Sequence, residues 1–156
     1  MFIRAKLVFC LLAASLPVPG LAAETGALPK DYCSWEVLDY AIEKPLCGLR
    51  GDEQRGKKIV SDSHLGNCLA CHQLPIPGIE AYGTIGPSLN GIASRFTEPQ
   101  IRIRIVDTRN INPMSIMPGF YRDPRLINRP AKRYQGKTFL TAQQVEDVIA
   151  YLVTLK

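Results

Sequence analysis

The stretch "NCLACHQLP" holds three residues whose types and spacing can do chemistry: Cys68, Cys71 and, directly after the second cysteine, His72. Cysteines two residues apart with an adjacent histidine can hold zinc, run a dithiol–disulfide couple or bind a haem covalently. A structural zinc site needs four ligands, usually from a second short-spaced pair. The chain has only two histidines, His64 and His72, and Cys33 and Cys47 lie too far apart to form such a pair. A thioredoxin-like couple sits at the start of a helix after a strand, and no alternating strand–helix pattern surrounds this motif. The C-x-x-C-H order is the signature of c-type haem attachment, in which two thiols form thioethers and the histidine faces the iron. One covalently bound haem c on Cys68, Cys71 and His72 is therefore expected.

Covalent haem attachment calls for an exported, oxidising compartment, and the N-terminus supplies that signal independently. Arg4 and Lys6 precede an apolar run over residues 7–16, which Pro17, Pro19 and Gly20 break before the small residues Ala22 and Ala23. This is the pattern of a cleavable secretory signal peptide over residues 1–23. The run is too short to span a bilayer. Cys10 follows bulky Phe9 rather than a small residue and does not read as a lipid-anchor cysteine. A periplasmic protein with no membrane span after processing is expected.

The 156 residues leave room for one domain plus an extension, and 46% hydrophobic with 21% charged residues excludes a disordered chain. Residues 24–49 read as an N-terminal extension and residues 50–156 as the domain. Residues 52–63 predict a first helix, with Asp52 as N-cap and Ile59 and Val60 on the apolar face. The middle element, 97–109, is ambiguous: "IRIRIV" alternates like a strand, whereas Thr97, Glu98 and Pro99 open it like a helix. Helix is the expectation. The final helix, 141–156, has a capping box in Thr141 and Gln144 and an apolar face of Val145, Val148, Ile149, Leu152 and Val153. The whole is all-α, with long loops between a few helices.

These motifs resemble class I cytochromes c, in family order from about residue 50 onward. In "NPMSIMPGFY" the Met117–Pro118 pair is similar to the loop whose methionine is the distal ligand of the iron, and Met114 is the alternative. In "GTIGPSLNGIASRF" Pro87 matches the proline whose carbonyl takes the second ring N–H of the axial histidine. Gly56 and Tyr151 match the small and aromatic residues where the first and last helices cross. With "GKTFLTAQQVEDVIAYLVTLK" the set looks more narrowly like SoxX, the monohaem cytochrome subunits of the bacterial sulfur-oxidation system. The resemblance implies a heterodimer with a SoxA-like monohaem or dihaem cytochrome. It implies uptake of electrons from oxidative coupling of thiosulfate to a cysteine of a SoxYZ-type carrier, and their delivery to a small soluble cytochrome c. Thiol chemistry would then lie on the SoxA side, and no catalytic residue is expected in this chain.

Two readings concern residues outside the haem motif. Cys33 and Cys47 are the cysteines of the processed chain not needed for haem, so a disulfide between them is expected, stabilising by about 3 kcal/mol. Residues 95–137 carry ten Lys or Arg against three Asp or Glu. Arg102, Arg104, Arg109, Arg122, Arg125, Arg129, Lys132 and Arg133 could form a docking face for an acidic partner, or pair with haem propionates. Nucleic acid is not an expected partner. The alternatives to a complex subunit are a freestanding electron carrier, or an open-site peroxidase or sensor in which Met117 is unbound. His64, only four residues from Cys68, reads as a surface or packing histidine rather than a distal base.

Overall fold

The computed structural model describes residues 28–156. The signal peptide and Cys10 lie outside the described residues. Within these, four α-helices and five single-turn 3-10 pieces are joined by loops, and the sole β pairing is an isolated bridge between Leu38 and Ala41. No described helix is long and apolar enough to cross a membrane.

Helix α1 runs Glu53–Ser61 and starts as its sequence dictates: the Asp52 carboxylate accepts from the Arg55 N–H at 2.8 Å. Helix α2 is a single turn, Ile92–Arg95. Helix α3, Glu98–Asp107, settles the ambiguity of "IRIRIV". Thr97 N–H donates to the Gln100 side chain at 3.0 Å, Pro99 sits in the first turn, and both faces bury isoleucines (Ile101, Ile103, Ile105). Burial on both faces is why the alternation persists in a helix. Helix α4, Ala142–Leu152, has its capping box in place, with Thr141 N–H to Gln144 Oε1 at 2.9 Å and Gln144 N–H to Thr141 Oγ1 at 3.2 Å. It stops four residues before the chain end, in a turn where Val153 N–H still bonds Ile149 O.

Helices α1 and α4 cross at backbone contact. A Cβ on Gly56 would lie 1.9 Å from the Asp147 carbonyl oxygen and 2.9 Å from Tyr151 Cβ, and one on Gly51 would lie 2.1 Å from the Glu146 carbonyl oxygen. Only glycine fits at either place. Val60, Val145, Val148, Ile149 and Leu152 are buried around the crossing, each contributing about 1.5–3 kcal/mol.

Two adjacent carboxylates on α4 tie this crossing to the rest of the chain. Asp147 accepts from the Asp52 N–H at 2.8 Å, from Arg55 Nε and Nη2 at 2.8 Å, and from Gln143 Nε2 at 2.9 Å. Glu146 accepts from the Leu46 N–H at 2.9 Å and from Arg102 Nε at 3.0 Å. Arg102 is 1% exposed and also donates to the Ile42 carbonyl at 2.9 Å and to Glu98 at 2.6 Å. Burial pulls its guanidinium down, but Glu146 and Glu98 outweigh that and hold it above its ordinary value. The expectation that Arg102 belongs to a docking face is thus overturned. It is an internal cation that joins α3, α4 and the N-terminal segment.

That segment, residues 28–49, packs into the same core. Ile42 and Leu46 are buried, Ile42 N–H bonds the Pro99 carbonyl at 3.1 Å, and Cys33 is joined to Cys47 by a disulfide with Cα atoms 5.4 Å apart. Tyr32 stacks on Tyr121 at 4.9 Å, and Tyr121 Oη accepts from the Cys33 N–H at 2.8 Å.

Asp147 makes stability depend on pH. Burial pushes its carboxyl up, but Arg55, Gln143 and the Asp52 N–H outweigh this and hold it below the usual carboxylate range. A folded value below the unfolded one adds stability that is present above the unfolded value and is lost as pH falls through the folded one. Asp147→Asn should therefore cost about 1–3 kcal/mol at neutral pH. The gap from the unmodified protein should close in acid, as read by denaturant unfolding across pH. Parallel stability curves would remove Asp147 as the titrating group.

Candidate haem site

The cysteine motif folds as one tight turn. Cys68–Ala70 is a 3-10 turn entered through Asn67 in the left-handed region (φ 49°), and both Cys71 N–H (3.1 Å) and His72 N–H (2.9 Å) return to the Cys68 carbonyl. This places the two cysteines and the histidine on successive corners of one turn. Both thiols are free and half-buried. Burial pushes the Cys68 thiol up to about 12, and Cys71 adds to the effect.

The segment 83–89 is fastened alongside that turn by three backbone bonds: Gly83 N–H to Leu69 O at 2.8 Å, Gly86 N–H to Cys71 O at 2.8 Å, and Leu89 N–H to Gln73 O at 3.0 Å. These seat the imidazole. His72 Nδ1–H donates to the Pro87 carbonyl at 2.6 Å, which fixes the tautomer and leaves Nε2 without a hydrogen bond among the described residues. Gly86 lies flat against the ring, where a Cβ would fall 2.2 Å from Cε1 and 2.5 Å from Nδ1. Sequence reasoning singled out Pro87 and passed over Gly86. A glycine directly before that proline was the signal available.

The two methionines part company. Met114 is 86% exposed, whereas Met117 is half-buried and packs against the core. His64 is exposed beside Asp62 and takes no part in the site. Among the described residues no three His, Cys, Asp or Glu side chains gather into a metal-holding set. The donors present are one oriented imidazole nitrogen, two free thiols on the same turn and a thioether on another loop. Exposed apolar side chains also stand on both loops, Ile85 next to Gly86 and Ile116 next to Met117. That set fits a flat apolar macrocycle that brings its own equatorial nitrogens and needs only axial and covalent anchors from the protein.

Residues 53–156 match the family model described as Cytochrome c. The chain belongs to the cytochrome c family. A chain in the crystal structure of SoxXA from P. pantotrophus is similar at 38% identity and a TM-score of 0.71, covering 78% of this chain and 94% of that one. An "Uncharacterized lipoprotein" of Aquifex aeolicus (strain VF5) is 34% identical over 129 residues, 83% of this chain. The chain spans about half of that relative's length, 52%. A "Cytochrome c-553-like" protein of Synechocystis is 31% identical over 110 residues, which cover 70% of this chain and 75% of the relative. With its strand-poor helical fold, this cytochrome is SoxX-type and class I and carries covalently bound haem c.

The basic stretch 95–137 is less available for docking than its count suggests. Besides Arg102, Arg109 Nε pairs with Asp107 at 3.0 Å, Arg122 Nε faces the same carboxylate at 3.6 Å, and Arg125 pairs with Asp123 at 2.6 Å. Arg104 covers the Phe96 ring at 3.8 Å. Arg129, Lys132 and Arg133 are the members of the proposed face that are exposed and make no ion pair among the described residues.

Gly86 supplies a direct check on the seating of the histidine. Gly86→Ala should push the imidazole off the Pro87 carbonyl at a cost of about 1–3 kcal/mol. The yield of haem-loaded protein, read as covalent haem per chain, should fall several-fold. Unchanged yield and absorption would mean that the ring is not held there.

Proposed function

We propose that this cytochrome is the electron-transfer subunit of a SoxXA-type complex. The observation that carries the reading is the His72 imidazole, locked to the Pro87 carbonyl on the cysteine turn, in a chain similar to nearly the whole of a SoxXA chain. Cys68 and Cys71 anchor the haem through thioethers. His72 Nε2 and the Met117 thioether would hold the iron, and the Pro87 carbonyl, by accepting from His72 Nδ1–H, orients the ring and raises its basicity. When bound, the haem supplies reversible one-electron transfer. With His72 and Met117 both serving as ligands, no position on the iron would be left for substrate, which suits transfer between partners rather than oxygen chemistry.

In this reading the partner is a SoxA-like monohaem or dihaem cytochrome in the periplasm. Electrons come from coupling of thiosulfate to a cysteine of a SoxYZ-type carrier, and they leave through a small soluble cytochrome c. The thiol chemistry lies on the partner. Met117→Ala should lower the reduction potential, abolish the near-infrared band of methionine ligation and admit exogenous ligands, whereas Met114→Ala should do none of these. Equal effects, or the reverse order, would reassign the ligand.

The partner assignment has its own test. The chain purified from its native periplasm should bring down a second c-type cytochrome, and its haem should be reduced on addition of thiosulfate with the carrier present. Isolation as a lone cytochrome that thiosulfate does not reduce would make it a freestanding electron carrier.

A further inference from the structure

The loop that bears Met117 leaves the body of the protein at the end of α3 and returns at Gly119. After Asn112, whose N–H bonds the Thr108 carbonyl, the backbone N–H bonds up to residue 118 stay within the loop: Met114 N–H to Asn112 Oδ1, Ser115 N–H to Asn112 O and Met117 N–H to Ser115 Oγ. Apart from the Met117 side chain, which packs against the core, its position depends on its base. On the returning side, Phe120 N–H bonds the Ile105 carbonyl and Tyr121 N–H the Val106 carbonyl, each at 3.1 Å. Asn110 Nδ2 donates to the Asp107 carbonyl on the outgoing limb, and the Asp107 carboxylate, which is buried (5% exposed), sits at the mouth of the loop between its limbs.

Asp107 reaches both limbs. Oδ1 accepts from Arg109 N–H at 3.3 Å and from Arg109 Nε at 3.0 Å on the outgoing limb. Oδ2 faces Arg122 Nε at 3.6 Å on the returning limb. A Cβ on Gly119 would lie 2.9 Å from its Cγ and Oδ1, so the returning backbone lies directly against the carboxylate. A buried carboxylate is costly unless it is paired, and an apolar side chain could fill the space but could not bridge two guanidinium groups.

We infer that Asp107 is a positioning residue for Met117: by clamping both ends of the loop, it sets how readily the methionine leaves the iron. The inference rests on the reading of Met117 as second axial ligand. Loosening the clamp raises the fraction of molecules with the loop open, and the apparent affinity for a competing ligand rises in proportion to that fraction.

The test uses the ferric haem-loaded protein and titrates it with imidazole, which competes with Met117. Asp107→Ala should bind imidazole about tenfold more tightly than the unmodified protein, and its near-infrared band should fade on heating well before global unfolding. Asp107→Asn, which keeps the shape and one acceptor, should fall between. Gly119→Ala attacks the same contact from the loop side and should match Asp107→Ala, so it also serves if that variant does not accumulate. Arg55→Ala, at the α1–α4 crossing, should lower the unfolding temperature yet leave imidazole affinity unchanged.

Unaltered affinity in both Asp107→Ala and Gly119→Ala, or an equal gain in Arg55→Ala, overturns the positioning role. Met117→Ala separates the two readings. If it keeps the near-infrared band, the ligand assignment fails and this inference fails with it. If it loses the band while the Asp107 and Gly119 variants bind imidazole normally, only the clamp falls.

Discussion

The close approach of α1 to α4 is the constraint from which the rest of the structure follows. Gly56 lets the two backbones touch, and once they do, Glu146 and Asp147 have no access to bulk water. Such carboxylates are tolerable only when paired and fully hydrogen-bonded. Each solves this with partners from different parts of the chain. Asp147 takes the start of α1, and Glu146 takes Arg102 on α3 together with the Leu46 N–H of the N-terminal segment. The side chains that satisfy the crossing therefore also place α3, and the loop that follows α3 inherits its starting point.

The same pair explains how the N-terminal segment becomes part of the core. Arg102 needs more acceptors than Glu146 offers and takes the Ile42 carbonyl, while Ile42 N–H reaches back to Pro99 at the start of α3. The segment thus satisfies buried polar groups as well as filling space with Ile42 and Leu46. The Cys33–Cys47 disulfide closes the segment on itself and holds Cys33 where its N–H meets Tyr121 Oη. Removing the segment would leave Glu146, Arg102 and Tyr121 each short of a partner.

What the sequence made legible was whatever is written locally. The caps at Asp52 and Thr141, the proline in the first turn of α3 and the C-x-x-C-H turn all involve residues within four positions of each other. Gly56, Tyr151 and Pro87 came from family resemblance, and the structure puts Gly56 against Tyr151 and the Pro87 carbonyl on His72. The placing of Arg102 among the surface arginines has a clear physical source. Charge counts treat each arginine as solvated, but Arg102 pairs with a carboxylate 44 residues away, and Arg109 and Arg122 share a single aspartate from opposite limbs of a loop. No local pattern encodes the pairing of Arg102 with Glu146 or of Arg122 with Asp107. Gly86 and Gly119 were overlooked for the same reason, since the groups they touch come from other segments of the chain.

The site is held unequally on its two sides. The histidine side is rigid by construction: three backbone bonds fasten segment 83–89 to the cysteine turn, and both a carbonyl and a glycine face fix the ring. The methionine side is a loop whose internal bonds are local and whose attachment lies at its two ends. In the proposed ligation, thioethers at Cys68 and Cys71 would already secure the haem to the cysteine turn, and stiffness there would hold the geometry between His72 and the iron through redox change. Met117 would have no covalent tether, and its occupancy would depend on the free energy of opening a short loop. Changes at the base of that loop should therefore alter ligation and potential while leaving the α1–α4 core undisturbed. A protein built this way can have its electron-transfer properties adjusted by a few residues between 107 and 122 without redesign of its fold.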